Sequence, residues 1–552
     1  MGRFNTKGAV LSRAGVKSPV KTRTTPTLRT HEGAPAFERD TRGEAFTLGV
    51  SYLVGENTFY ESAADRAKRF NALIAACAIN DPTWTVGFLG YLRNEAYIRT
   101  ASIQGAMEGI HARLCDADSV KDDARYNMAG YNRLMADIVC QRADEPGEAL
   151  SYWLSNYGKP LPMPLKRGLG DAARRLWNEY TFLKYDTKSH GVSFGDFIEL
   201  THVKPSDDRQ SALFSLAVAQ AHGNTDDNAV AIWLTMVHAQ RVLRGAAEVD
   251  AKVLLNTEHL KTAGMTWEDA LSLAGSRVPK KKLWEAMIPS MGYMALLRNL
   301  RNFDEAGISQ QFIEMVAARL SDPGEVAKSK QFPYRFLSAF ENVHSLNWGP
   351  ALEAGLKYSL ANIPELKGST DVLVDTSASM GGAMSSKSSM SYAKAAAVFG
   401  TALAVKNPGK VRLIGFANGT FEHSVPKGSS VLVASDKFIR RIGEVGHGTE
   451  ISQSIRTTYN GADRVVIITD EQAFADSQYG YQYGRGFDSY AKQTPVTDSI
   501  PADKWLYGFN IGGYKPSMME SGKGKRVSIG GLNDGTFRWM EAVESGHSQA
   551  WP

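Results

Sequence analysis

Cysteine is scarce in this 552-residue chain. Cys77, Cys115 and Cys140 make an odd number and show no Cys-x-x-Cys spacing, which argues against a disulfide framework and against a cysteine-built zinc site. They read as core residues. No His-x-x-x-His pair is present either, so the helical zinc-protease signature is missing. The late run Ser521-Gly-Lys-Gly-Lys-Arg526 lacks both the earlier glycine and the Ser or Thr of a Walker loop. Long apolar stretches are absent, and the basic N-terminus is not followed by the apolar segment of a signal peptide. The expectation is a cytoplasmic protein with no membrane association. Acidic side chains are missing from residues 1–31, which carry Arg3, Lys7, Arg13, Lys17, Lys21, Arg23 and Arg29. The net charge of +5 therefore resides in this tail. Rich in Thr, Gly, Pro and Ser, the tail reads as a flexible basic arm that suits a polyanion or simply keeps the chain soluble.

What is present is ordinary in bulk and informative in pattern. An apolar share of 43% and a charged share of 22% are those of a globular protein, and the length calls for two or more domains. From about 62 to 361 the chain reads as successive helices. Ala63, Ala67, Phe70, Leu73, Ile74 and Cys77 recur at three- and four-residue intervals, as one apolar helical face requires. The rhythm returns in 227–243, 309–320 and 335–344, with breaks at Pro82, Pro160, Pro205, Pro289 and Pro323. So long a run of helices and short loops suggests a curved or ring-shaped helical solenoid. After 362–370 the pattern changes. Strand-like runs at 371–375, 411–416, 464–469 and 505–510 alternate with helix-like runs at 391–405, 450–458 and 536–544, which predicts a mostly parallel sheet covered on both faces. The expected division is a flexible basic arm over 1–38, an all-α helical-repeat domain over 39–363, and a doubly wound, Rossmann-like α/β domain over 364–552.

Three segments of the last domain end in oxygen ligands. Asp371-Val-Leu-Val-Asp375 runs into Thr376-Ser377-Ala378-Ser379, a carboxylate followed by hydroxyls at alternate positions. Gly446-His-Gly-Thr449-Glu450 has the form of a glycine-rich loop feeding a helix, and Arg464-Val-Val-Ile-Ile-Thr469 ends at Asp470. Ligands of parallel α/β sheets gather at the carboxyl ends of strands. Asp375, Ser377, Ser379, Thr449 and Asp470 supply two carboxylates and three hydroxyls, enough protein donors for a hard divalent cation, Mg²⁺ by preference, that keeps some of its water. A position left open on the cation would accept an external carboxylate or phosphate oxygen.

These residues resemble the metal-ion-dependent adhesion site of von Willebrand factor A domains, in which the first Asp and both Ser hold the ion and the distant Thr and Asp complete the shell. Glu450 stands where relatives often have Asp. Upstream, Phe46-Thr-Leu-Gly, Gly55-Glu-Asn-Thr-Phe-Tyr60, Thr201-His-Val-Lys-Pro205, Lys282–Trp284 leading into Ala295-Leu-Leu-Arg-Asn-Leu300, and Phe332-Pro-Tyr-Arg-Phe-Leu337 followed by Phe340-Glu341 resemble the Ro autoantigen (TROVE) family. The resemblance implies a ring of HEAT-like repeats closed by the A domain. It implies that single-stranded 3′ ends of misfolded noncoding RNA sit in the ring and that Y RNA lies on its outer surface. The family's Y RNA stretch falls on Lys184, Lys188 and His202, with Lys204 beside it. Departures are Lys188 for the frequent Arg, the added Asp186, and Phe194 and Gly195 in place of a His and a Lys.

The residues themselves offer modest independent support for RNA. Lys166, Arg167, Arg174, Arg175, Lys184 and Lys188 crowd one stretch, with Trp177, Tyr180 and Tyr185 interleaved. Cations suit phosphates and aromatic faces suit unstacked bases. An ordinary solvated helix face with its aromatics in the core would read the same way. The reading that follows is a noncoding-RNA-binding scaffold, not an enzyme, whose metal site docks an acidic protein partner such as an exoribonuclease. The alternatives are a metal-dependent interaction module without RNA and a metal-dependent nuclease, which would need a second ion or an activated water.

Overall fold

The computed structural model describes residues 25–119, 130–187, 191–224, 230, 232–343, 345–361, 363–386, 390–472, 495–522, 524–531 and 538–545. It divides into two compact units. One holds the chain up to Phe70, Phe332–Tyr334 and the chain from Ser359 onward; the other holds Asn71–Gln331 and Arg335–Tyr358. The division is not linear, because residues expected in the arm and in the helical domain pack with the α/β unit.

That unit is built on a six-stranded sheet. After the short pair β1 (Leu28–Arg29) and β2 (Pro35–Ala36) come β3 (Thr370–Asp375), β4 (Val411–Phe416), β5 (Thr420–His423), β6 (Arg464–Thr469), β7 (Trp505–Asn510) and β8 (Arg526–Gly530), in the order β5-β4-β3-β6-β7-β8. All neighbours are parallel except β4 and β5. Every residue of β3, β6 and β8 is buried, which accounts for unbroken apolar runs such as Val372-Leu-Val374 where half-exposed strands would alternate. The helix Tyr392–Lys406 is buried along most of its length. It approaches so closely at Gly400 that a Cβ there would lie 2.6 Å from Val374. The chain leaves β3 toward β4 on one side and reaches β6 on the other, so the carboxyl ends of β3 and β6 flank a topological switch point. Four strands stand where the sequence pattern puts them; β5, β8 and the helix Val431–Ile439 were not anticipated.

The segment expected as a flexible arm is corrected in part. Residues 1–24 lie outside the described residues, but 25–38 are built into the α/β unit. Ala34, Ala36 and Phe37 are buried, and Phe37 exchanges backbone hydrogen bonds with Ser517 at 2.8 and 2.9 Å. Apolar side chains too few to register in the composition are enough to anchor it. The helix Thr41–Ser51 follows, capped by Asp40 on the Gly43 amide, and packs on β8, where a Cβ on Gly530 would meet Val50 at 2.6 Å.

The second unit is all helical among its described residues. Its helices start at local caps, such as Asp81 before Pro82, Ser193, Asp207 and Thr266. Long-range pairing fixes their packing. The buried Glu179 carboxylate accepts from Arg209 Nε at 2.9 Å and from the amides of Met236 and Val237 at 2.8 and 3.1 Å, so one helix supplies the anion at the amino end of another. Glycine permits two near contacts. Arg133 O would lie 2.4 Å from a Cβ on Gly168, and Ala217 O would lie 2.4 Å from one on Gly195.

Gly195→Ala is expected to destabilise the protein by about 1–3 kcal/mol through overpacking. Gly245→Ala, in mid-helix with nothing within 4 Å of the added Cβ, should instead stabilise by about 0.5–1 kcal/mol. Thermal denaturation of the two variants checks the pair, and equal effects of one sign would refute the packing argument.

Candidate functional site

Asp375 is the last residue of β3 and Asp470 the first after β6, so the switch point brings two carboxyl groups from distant segments together. Both side chains are buried, as are Ser377, Ser379 and Thr449. Asp375 Oδ2 accepts from Thr469 Oγ1 at 2.5 Å, and Oδ1 accepts from the Ser377 amide at 2.9 Å. The hydroxyls of Ser377 and Ser379 lie 3.3 Å apart. Asp470 Oδ1 accepts from the Gln472 amide at 3.1 Å, and Ser379 hydrogen-bonds its side chain. Burial raises both carboxyl pKa values above the usual range, and the Asp375 charge pushes Asp470 up further.

Thr449 tests the metal expectation. Its Oγ1 is buried and has no hydrogen-bond partner, which a folded protein rarely tolerates without a use. Two buried carboxyl groups that raise each other's cost and a buried hydroxyl left without a partner are all oxygen donors, the chemistry that suits Mg²⁺. Among the described residues no group of three or more His, Cys, Asp or Glu comes together, so the hydroxyls are needed to complete any such shell.

The loops are fixed by residues that the sequence pattern did not single out. Asn418 Oδ1 accepts from the amides of His447 and Gly448 at 3.0 and 2.8 Å, and a Cβ on Gly448 would lie 2.4 Å from Asn418. This explains the glycine-rich loop as close packing that presents Thr449. Glu471 is fully buried at φ 63°, bound by Arg39 Nη2 at 2.5 Å, Asn510 Nδ2 at 3.0 Å and Ser528 Oγ at 3.2 Å. Arg39 and the amide of His31, which bonds Gln472 Oε1 at 3.0 Å, thus hold the Asp470 loop from the N-terminal segment. A lone Arg just beyond the basic arm carries no such signal. Asp470 opens onto a cleft of about 240 Å³, lined also by Ser379, Tyr392, Tyr514 and Asn57–Phe59. Tyr514 also packs edge-on against Tyr60, which stacks on His31.

The candidate RNA residues are distributed differently. Arg167 and Arg174 are exposed on the helix Met163–Leu176, seven positions and so about two turns apart on one face. Lys166 is half-buried on the same helix. Arg175 is exposed but committed, to Asp137 at 2.7 Å and to the Cys140 carbonyl at 3.0 Å. Lys184 sits over the rings of Tyr180 and Tyr185, 5.7 and 5.1 Å from their centroids. His202 is exposed in left-handed conformation at a helix end, with Lys204 exposed just beyond. Lys188 lies outside the described residues. Trp177 corrects the reading of interleaved aromatics. It is buried, stacked on Phe194 at 3.8 Å and bonded to the Ala143 carbonyl, which makes it core and not a surface for bases. Asn299 is structural as well, bonding the Ala295 carbonyl one turn back at 2.8 Å. The letters Gly191-Val-Ser193-Phe-Gly195 fit a nucleophile elbow, but Ser193 follows a helix and caps the next, its hydroxyl bound to Asp196 at 2.6 Å.

Comparison with known proteins adds three findings. A family model described as the TROVE domain matches residues 259–368. Telomerase protein component 1 of Mus musculus and that of Rattus norvegicus are each 42% identical to this chain over 83 residues. That stretch is 15% of this chain and 3% of each relative, so the chain spans only a small part of their length. The crystal structure of the Deinococcus radiodurans RO (RSR) protein superposes with a TM-score of 0.58 at 16% identity, over 91% of this chain and 99% of that one. At that identity the likeness is one of fold.

With EDTA present, Thr449→Val should melt at or slightly above the wild-type temperature, since Oγ1 has no partner to lose. Asp470→Asn should melt higher at neutral pH, because one of two buried like charges is gone. Mg²⁺ should stabilise the wild type, by about 2.7 kcal/mol at a hundredfold excess over Kd, and neither variant to that extent. Scanning fluorimetry reads all three, and a full Mg²⁺ response in both variants would rule the site out.

Proposed function

For a chain that belongs to the Ro/TROVE family, we propose the role of a noncoding-RNA-binding scaffold. The observation that carries this is the exposed pair Arg167 and Arg174 on one helix face, followed by Lys184 and the exposed His202 and Lys204. Exposed cations beside partly open tyrosines suit the phosphates and unstacked bases of single-stranded or looped RNA. On this reading the helical unit, with its repeats arranged as a ring, holds single-stranded 3′ ends of structured or misfolded RNA, and the exposed basic face takes Y-like RNA. Lys166 and Lys188 would add charge to that face, whereas Arg175 would contribute only by giving up Asp137. The setting is cytoplasmic.

A second reading concerns the α/β unit and rests on the two buried carboxylates, together with a buried, orphaned Thr449 hydroxyl whose loop is tied to the Ser377–Ser379 turn by the bond from the Ala378 amide to the His447 carbonyl. We read it as a metal-ion-dependent adhesion site of the von Willebrand factor A type, with Asp375, Ser377, Ser379, Thr449 and Asp470 around Mg²⁺. An acidic side chain of a protein partner would enter the cleft, and an RNA-processing exoribonuclease is one candidate. Docking is favoured over nuclease chemistry because no further acidic cluster accompanies these residues among those described.

Gel shifts with structured RNA carrying a single-stranded 3′ tail, blunt duplex and DNA of matched length test the first reading. Tailed RNA should bind tightest, and its affinity should fall steeply with salt. The double variant Arg167→Ala/Arg174→Ala should weaken binding across sequences and reduce the salt slope by about 2. Equal, weak binding of all three nucleic acids would overturn the proposal.

A further inference from the structure

The cleft beside Asp470 is small and chemically one-sided. Its volume of about 240 Å³ lies below the roughly 300–1,000 Å³ usual for small-molecule sites, so it suits a single side chain of a larger molecule. Among the described residues Asp470 is the only charged one that lines it, and no Lys, Arg or His does. Tyr392, Tyr514 and Phe59 supply aromatic walls.

One wall is a strap, residues 53–61, tied down at several points. Glu56 accepts from the Ser386 amide and hydroxyl at 2.9 and 3.0 Å, and Asn57 Oδ1 accepts from the Ala63 amide at 2.8 Å. The Tyr60 amide donates to the Tyr514 hydroxyl at 3.3 Å, and the Tyr60 hydroxyl donates to Glu32 at 2.8 Å. Phe59 stands between these ties, edge-on to Tyr60 with ring centroids 4.8 Å apart, yet it is 61% exposed. A solitary apolar side chain on a surface needs no explanation. One held in place at the mouth of a cleft that ends in a buried carboxylate is a preformed anchor, and such anchors dominate interfaces.

Resting on the metal-site reading above, we propose that the cleft takes an Asp or Glu side chain from a protein segment in which a large apolar residue flanks the acid, and that Phe59 receives that neighbour. Asp375 and Asp470 balance the charge of a divalent cation, so an entering anion finds little excess positive charge. A phosphate monoester brings nearly two charges and meets no Lys, Arg or His on these walls. A phosphodiester carries one charge but lies between two sugars, too bulky for the cleft. A carboxylate at the tip of a side chain satisfies both limits, and its apolar neighbour covers Phe59.

The test uses the full chain with Mg²⁺ and saturation-transfer NMR titrations of blocked pentapeptides. These are Gly-Leu-Asp-Leu-Gly, Gly-Gly-Asp-Gly-Gly, and the second with phosphoserine in place of Asp. The leucine peptide should bind roughly tenfold more tightly than the glycine peptide, and EDTA should abolish binding of both. Phe59→Ala should erase that gap while leaving the glycine peptide's affinity and the thermal response to Mg²⁺ unchanged; Phe59→Leu should keep most of it. Equal affinities in the wild type, a gap that survives Phe59→Ala, or no peptide binding at all overturns the inference, and stabilisation by Mg²⁺ then leaves the metal site standing without it. Tighter binding of the phosphoserine peptide, or displacement of the leucine peptide by oligouridylate, overturns it by assigning the cleft to phosphate. Absence of both Mg²⁺ stabilisation and peptide binding removes the metal-site reading as well.

Discussion

Two carboxyl groups kept out of water at one end of the sheet set the conditions for the α/β unit. Asp375 and Asp470 are delivered by neighbouring parallel strands, β3 and β6, at the point where the winding of the sheet reverses. Each is costly to bury as an ion, and each raises the cost for the other. The fold meets part of that cost with hydrogen bonds from Thr469, Ser377 and Gln472 and leaves the Thr449 hydroxyl without one.

Holding those groups in place requires support from far along the chain. Glu471 adopts a left-handed backbone and a fully buried carboxylate, both unfavourable alone. Arg39, Asn510 and Ser528 converge on it from three separate segments. The N-terminal segment is thereby part of the site's scaffold. In the helical unit the same logic operates through Glu179, whose buried charge joins Arg209 to the start of another helix. Cations consumed in such pairs, Arg175 and Arg209 among them, are the poorer candidates for phosphate. Those left on the surface, Arg167 and Arg174, are the better ones.

Much of this was legible. Runs of β-branched, aliphatic or aromatic residues located β3, β4, β6 and β7 because buried parallel strands need apolar residues on both faces. The strand β5 escaped notice because Thr-Phe-Glu-His is short and mixed, and β8 because its Arg526-Val-Ser-Ile-Gly530 follows a lysine- and glycine-rich run that drew attention as a rejected phosphate loop. Trp177 misled for a different reason. An aromatic between cations looks the same in sequence whether it faces solvent or core. Its stacking on Phe194 and the bond to the Ala143 carbonyl exist only once three helices have met.

The sequence by itself determined the alternation of elements and where the oxygen-bearing residues Asp375, Ser377, Ser379, Thr449 and Asp470 fall along it, since periodicity and residue type are local properties of a chain. It also placed the cations along the helical unit. Only the tertiary structure decided which of those cations are spent on internal carboxylates, and that Arg39 and His31 brace the Asp470 loop. These are relations between residues tens to hundreds of positions apart. Burial and charge pairing depend on what lies nearby in space, and no local pattern encodes that.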